Sequence, residues 1–231
     1  MQLLLVNYWA KLDYNKSWCT PRFIFYRTMI FAIQKTNMVV YNSQQLLNQL
    51  QEQTEQFIAQ AVSNWQVLSH KQFGYKQLPE KWSANQCLQH LNSYGTYYLP
   101  AIEKAITIAQ TKEQQNNNQF KSGWLGNYFT NLMQPKADGS LSKKMQTPKN
   151  HQPTNNSESH LSIAEFIDQQ ERLLVLLEQA KQIDLNSTKV PISISPFIKL
   201  KLGDVFMFLV AHNFRHVLQA NSAIGYTKLT T

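Results

Sequence analysis

The 231-residue sequence has little of several things, and each shortage excludes a class of protein. Two cysteines, Cys19 and Cys87, can build neither a disulfide framework nor a cysteine zinc finger. Seven glycines and eight prolines are too few for a collagen-like or linker-like chain. Neither apolar run of the first 37 residues, Leu3–Val6 or Phe23–Ile33 with Arg27 inside it, approaches the ~20 residues that span a bilayer. Neither has the uninterrupted apolar core and small-residue end of a secretory signal. Charged residues make up only 16% of the chain, and Gln and Asn take much of their place. The 43% of hydrophobic residues still supplies a real core, which excludes wholesale disorder.

The net charge of +8 raises nucleic acid or a membrane surface as partners, so its location matters. Residues 1–37 carry Lys11, Lys16, Arg22, Arg27 and Lys35 against Asp13, which is half of the surplus. The other 194 residues hold 17 basic and 13 acidic residues, an ordinary balance for a cytoplasmic bundle. No helical segment there clusters Lys and Arg on one face; Lys143, Lys144, Lys199 and Lys201 form at most a loose loop patch. Neither nucleic-acid binding nor membrane attachment is expected. Residues 1–37 also lack a sustained helical or strand period, and read as an atypical extension, non-native or disordered, with Met38 as the start of the domain. The functional alternative for this stretch is a membrane-surface or dimer-contact arm.

From Ser43 the pattern is helical. Leu46, Leu47, Leu50, Phe57, Ile58, Ala61, Val62 and Trp65 recur at spacings of three and four and mark the buried face of a first helix. Ser83 with Gln86 is a capping-box pattern that opens a second helix through Cys87, Leu91, Tyr94, Tyr98, Ile102 and Ile106, with Pro100 as a candidate bend. Ser162 with Glu165 opens a third through Phe166, Leu173, Leu174, Leu176 and Leu177, ending near Lys181. Asp204 is placed to cap a fourth helix that Gly225 closes. Between the second and third lies a long polar loop, 111–160, partly disordered by composition. One aromatic island in it, Phe120–Phe129, is expected to pack back on the domain. With no convincing set of strands, only a short extended piece at Ile192–Ile194, the expected class is all-α, an antiparallel four-helix bundle over residues 38–231. No internal repeat is evident.

On the fourth helix Val205, Leu209, His212, His216, Gln219 and Ala223 recur at intervals of three and four, so two imidazoles sit one turn apart in a buried seam. Such a pair suits one metal ion, and His90 on the second helix supplies a third nitrogen. Spacing alone does not bring His90 to the other two, and seam histidines also serve as hydrogen-bonded core residues. Three neutral imidazoles plus water make an open site for zinc, nickel or ferrous iron. Residues 212–216 read His-Asn-Phe-Arg-His and lack the Glu of a zincin protease, hence its general base.

Three segments resemble the DinB-like (DinB/YfiT) superfamily over residues 42–225: Trp82-Ser83 followed by His90-Leu91, the island Gly123-Trp124-Leu125-Gly126, and His212-Asn-Phe-Arg215-His216-Val-Leu-Gln219. The resemblance implies a four-helix bundle, often dimeric, whose three-His site, here His90, His212 and His216, holds a divalent metal. Better understood relatives use a low-molecular-weight thiol as cosubstrate. A metal there would lower the thiol's pKa. The expected protein is thus a cytoplasmic homodimer acting on a small molecule as a metal-dependent thiol transferase or hydrolase. The alternative is a non-catalytic, metal-stabilised bundle that serves as an interaction module. Gln219, one turn past His216, is placed to hold its free ring nitrogen or a bound water, against the plainer role of a packing residue. Arg215 points about 100° around the helix from His216 and is expected to pair with an acid or a loop carbonyl. Tyr94, Tyr97 and Cys87 are expected in the core, with lining a pocket (the tyrosines) or thiolate ligation (Cys87) as the alternatives. His70, His151 and His160 receive no role.

Overall fold

The computed structural model describes residues 39–112, 117–135, 146–154 and 158–225. All belong to the unit Met38–Thr231. Residues 1–37, the expected extension, lie outside the described residues, as do stretches 113–116, 136–145 and 155–157 of the polar loop.

A short strand β1 (Val40–Asn42) leads into α1 (Ser43–Gln60). The cap is Asn42, whose side chain accepts from Gln45 N–H at 2.9 Å; Ser43 is the first helical residue and donates to the Asn117 carbonyl. Leu46, Leu47, Leu50 and Phe57 are buried as the period requires. The helix then widens into a π-turn, Ala61–Trp65, with Gln66 N–H donating to Ala61 C=O five residues back. This added residue per turn buries Ala61 and Trp65 and leaves Val62 exposed, which corrects the expectation that Val62 continues the seam. After a one-turn helix α2 (His70–Phe73), α3 (Ala84–Gln110) opens on the expected capping box, with both the Ser83 and Gln86 bonds made. Pro100 lies on its exposed side, and the helix runs on through it.

The polar loop holds more structure than its composition suggests. β2 (Gln119–Lys121) pairs antiparallel with β1, with Tyr41 opposite Phe120, and the island forms α4 (Trp124–Met133). Phe120 is fully buried, and α4 packs on the last helix, α6 (Leu202–Ala223). Asp204 does not cap α6, whose N-cap is Lys201. It is buried in the first turn of α6 and accepts from Ser122 Oγ at 2.6 Å and Gly123 N–H at 3.1 Å, just where α4 begins. Burial pushes its carboxyl above the ordinary range, with these two donors opposing. Gly126 is required by this approach, since a Cβ there would stand 2.2 Å from Asp204 Cγ.

A 3₁₀ turn, Lys149–His151, precedes α5 (Ser159–Ala180), which starts three residues before the expected Ser162; Glu158 is its N-cap, without a side-chain bond. The segment before α6 is a hairpin, β3 (Lys189–Ile192) with β4 (Ser195–Lys201), where only an extended piece was expected. Val190, Ile192 and Leu200 are buried while Lys189 and Lys199 face out, a period of two that Pro191 and Pro196 obscure in the sequence. Tyr97 Oη donates to Ile192 C=O and Ser193 N–H donates to Tyr98 Oη, which ties the hairpin to α3. The two ladders are small, and the class is all-α: α1, α3, α5 and α6 form the core bundle, α3 and α1 each packing on α5 and α6. Gly225, at φ 75°, follows the last helix as expected. Among the described residues no helix is long and apolar enough to cross a membrane.

Candidate metal centre

The seam of α6 carries His212 and His216 on one face, and α3, packed along it, delivers His90 from its second turn. One ligand atom from each of the three rings lies within 4.8 Å of the others. Nε2 of His90 is 3.1 Å from Nε2 of His212. A tetrahedral site with metal–nitrogen bonds of roughly 2.0–2.1 Å spaces its nitrogens about 3.4 Å apart, so the cluster is of the right size.

Hydrogen bonds orient two of the rings. His90 Nδ1–H donates to the backbone carbonyl of His151 at 2.7 Å, and His216 Nδ1–H donates to Gln219 Oε1 at 3.0 Å. Each leaves an Nε2 lone pair for the centre, the usual arrangement of a metal-ligating histidine. His212 differs: its Nδ1 is buried and meets no hydrogen-bond partner among the described residues. Its ring is instead held flat against Phe208, the two 9° from parallel.

All three rings are neutral at physiological pH. Burial holds His90 down to about 4, partly offset by the His151 carbonyl. Burial holds His212 and His216 well below the ordinary range, helped by the neighbouring imidazoles and the Arg215 guanidinium. Neutral imidazole is the form a metal needs. An aromatic wall keeps water away: Trp82 stands 5.0 Å from His90 and 5.8 Å from His216, and Tyr94 stands 4.3 Å from His212, ring centroid to centroid.

Gln219 Oε1 lies within hydrogen-bond reach of His216 Nδ1. Arg215 is buried, with its guanidinium close enough to His212 and His216 to disfavour their protonation. Cys87 is fully buried and outside the cluster, its thiol pushed up by burial, so it packs as a small apolar residue. Tyr94 lies in ring contact with the cluster, whereas Tyr97 turns to the hairpin. His70 and His160 are exposed beside Glu158. The sequence pattern gives no sign of His151. It is buried, its carbonyl receives His90, and its ring lies 3.9 Å from that of Tyr94. Nothing in its local sequence marks it, because it sits in a polar segment 61 residues from His90.

Comparison with curated proteins finds no match, and neither does comparison with solved structures. A family model described as the DinB superfamily matches residues 47–220, a span that includes the three histidines and Gln219. The fold and the three-His cluster agree with that match, and the chain belongs to the DinB superfamily.

Proposed function

We propose that His90, His212 and His216 hold one divalent metal ion, zinc, nickel or iron, and that the protein is a metal-dependent enzyme acting on a small molecule. The observation that carries this is the convergence of three buried, neutral imidazoles within 4.8 Å, two of them with the outer nitrogen committed as a donor. Three protein ligands leave a coordination position open, and a metal so held supplies Lewis acidity that lowers the pKa of water or a thiol. The chain's own residues orient the ligand nitrogens through the His151 carbonyl and Gln219 and exclude water with Trp82, Tyr94 and Phe208. The family resemblance supports thiol transfer with a low-molecular-weight thiol, or hydrolysis, in a homodimer.

Metal analysis of protein purified without chelator or a nickel column tests the site. One divalent ion per chain is expected, and none in His212→Ala; equal loading of the two proteins would refute the assignment. A thiol-plus-electrophile screen with metal restored then tests turnover.

A second reading has an observation of its own. The cluster is almost closed by aromatic rings, and each histidine is at most 8% exposed. That suits a non-catalytic bundle which the metal stabilises and whose outer face recruits a partner. A large metal-induced rise in melting temperature, with no binding of azide or a thiol to the cobalt-loaded protein, would select it.

A further inference from the structure

The segment 149–154 crosses the outer side of the cluster and is clasped by one stretch of α3. Gln89, His90, Ser93 and Tyr94 all touch it. Gln89 Oε1 accepts from Thr154 N–H at 2.9 Å and from Thr154 Oγ1 at 3.1 Å. His90 Nδ1–H donates to His151 C=O. Ser93 Oγ donates its only proton to the His90 carbonyl at 2.7 Å, so its 3.0 Å contact with His151 Nδ1 has the imidazole N–H as donor. His151 Nε2 then accepts from Asn150 Nδ2 at 3.2 Å, which satisfies both ring nitrogens. The ring lies tilted against Tyr94, centroids 3.9 Å apart, and Tyr94 also contacts the His212 ring.

A segment of Lys, Asn, Gln, Pro and Thr has too little apolar surface to order itself. Its place here gives the cluster one contact from outside the bundle helices, an acceptor for Nδ1 of His90. We propose that His151 is a positioning residue: its buried ring anchors the 149–151 turn so that its own carbonyl fixes His90 in the Nδ1–H tautomer, with Nε2 free for a metal. The residue acts through His90 and does not itself enter the cluster, which among the described residues consists of His90, His212 and His216. Its effect on metal affinity rests on the metal reading above; its effect on the tautomer does not.

Long-range proton–nitrogen spectra of the metal-free protein, labelled with ¹⁵N at histidine, test this directly, with zinc affinity by chelator competition as the second readout. The parent shows His90 in a single Nδ1–H tautomer. In His151→Ala the tautomers of His90 mix and zinc binding weakens about 10-fold or more. His151→Asn, whose side-chain amide can donate to Ser93 Oγ, recovers both. Ser93→Ala, a milder cut to the same anchor, moves both readouts the same way and serves if His151→Ala does not fold. A His90 tautomer that stays single in the folded His151→Ala or Ser93→Ala protein overturns the proposal, whatever happens to the melting temperature. If the parent takes up no zinc, the metal reading fails, and the tautomer result still decides the role of His151.

Discussion

His90 and His212 meet nitrogen to nitrogen at 3.1 Å across 122 residues of chain, each from the buried face of its own helix. Two unprotonated nitrogens repel at that distance, so the pair shares either a proton or a cation. The three rings should therefore act as one unit toward a metal.

Zinc should stabilise the parent by about 2.7 kcal/mol when free zinc is 100 times the dissociation constant. Alanine in place of His90, His212 or His216 should each remove that shift in a melting experiment. His70→Ala and His160→Ala, at the exposed histidines beside Glu158, should leave it intact. A shift that survives in any of the first three variants would place the ion elsewhere.

The metal-free protein should lose stability as pH falls from about 6.5 toward 4. The folded pKa values of the three histidines are depressed, to about 4 for His90 and well below the ordinary range for His212 and His216. In that window the unfolded chain takes up protons that the folded chain refuses, so stability rises with pH. The slope can reach about 1.4 kcal/mol per pH unit for each histidine. Urea unfolding in the presence of chelator measures it, and a flat profile between those limits would contradict burial of neutral rings.

Gln219→Ala should weaken metal binding by roughly 10- to 100-fold without changing the one-per-chain stoichiometry, because it removes only the acceptor for His216 Nδ1–H. Gln219→Glu keeps an acceptor at that place and should bind more tightly than the alanine variant. Chelator competition on both proteins gives the comparison.

Two glycines separate rigid from yielding contacts. Gly126→Ala would drive a Cβ to 2.2 Å from Cγ and 2.4 Å from Cβ of Asp204, atoms close to the α6 backbone, and should cost on the order of 1–3 kcal/mol. Gly95→Ala meets the tip of Gln169 at 1.9 Å, an end that can swing away with loss of its bond to the Asn92 carbonyl, so its cost should be the smaller. Denaturant midpoints rank the pair; the reverse order would show that the α4–α6 approach is softer than these distances state.

The bundle and the α6 histidines are legible in the sequence because helical period is local: His212 and His216 fall four residues apart in an apolar seam, and Ser83 with Gln86 announces α3. The features that the sequence conceals depend on distant partners. Asp204 looks like a cap for its own helix, yet its acceptor oxygens go to Ser122 and Gly123, about 80 residues earlier. The β3–β4 hairpin hides behind two prolines, one at a register irregularity and one on an exposed position of β4. The His151 clasp has no periodicity at all, since a backbone carbonyl serves as well from one residue type as from another.

The π-turn at Ala61–Trp65 sets a length constraint on the chain. Its surplus residue rotates the C-terminal end of the helix by about 100° relative to an unbroken α-helix. That rotation brings Trp65 Nε1–H to Asn221 Oδ1 at 2.9 Å and its indole against Phe73 and Phe166. A single-residue deletion between 61 and 65 would restore ordinary helix geometry and turn the indole out of that contact. Here a change in residue count is therefore more disruptive than a change in residue type, and the end of α1 joins α6 by arithmetic as much as by chemistry.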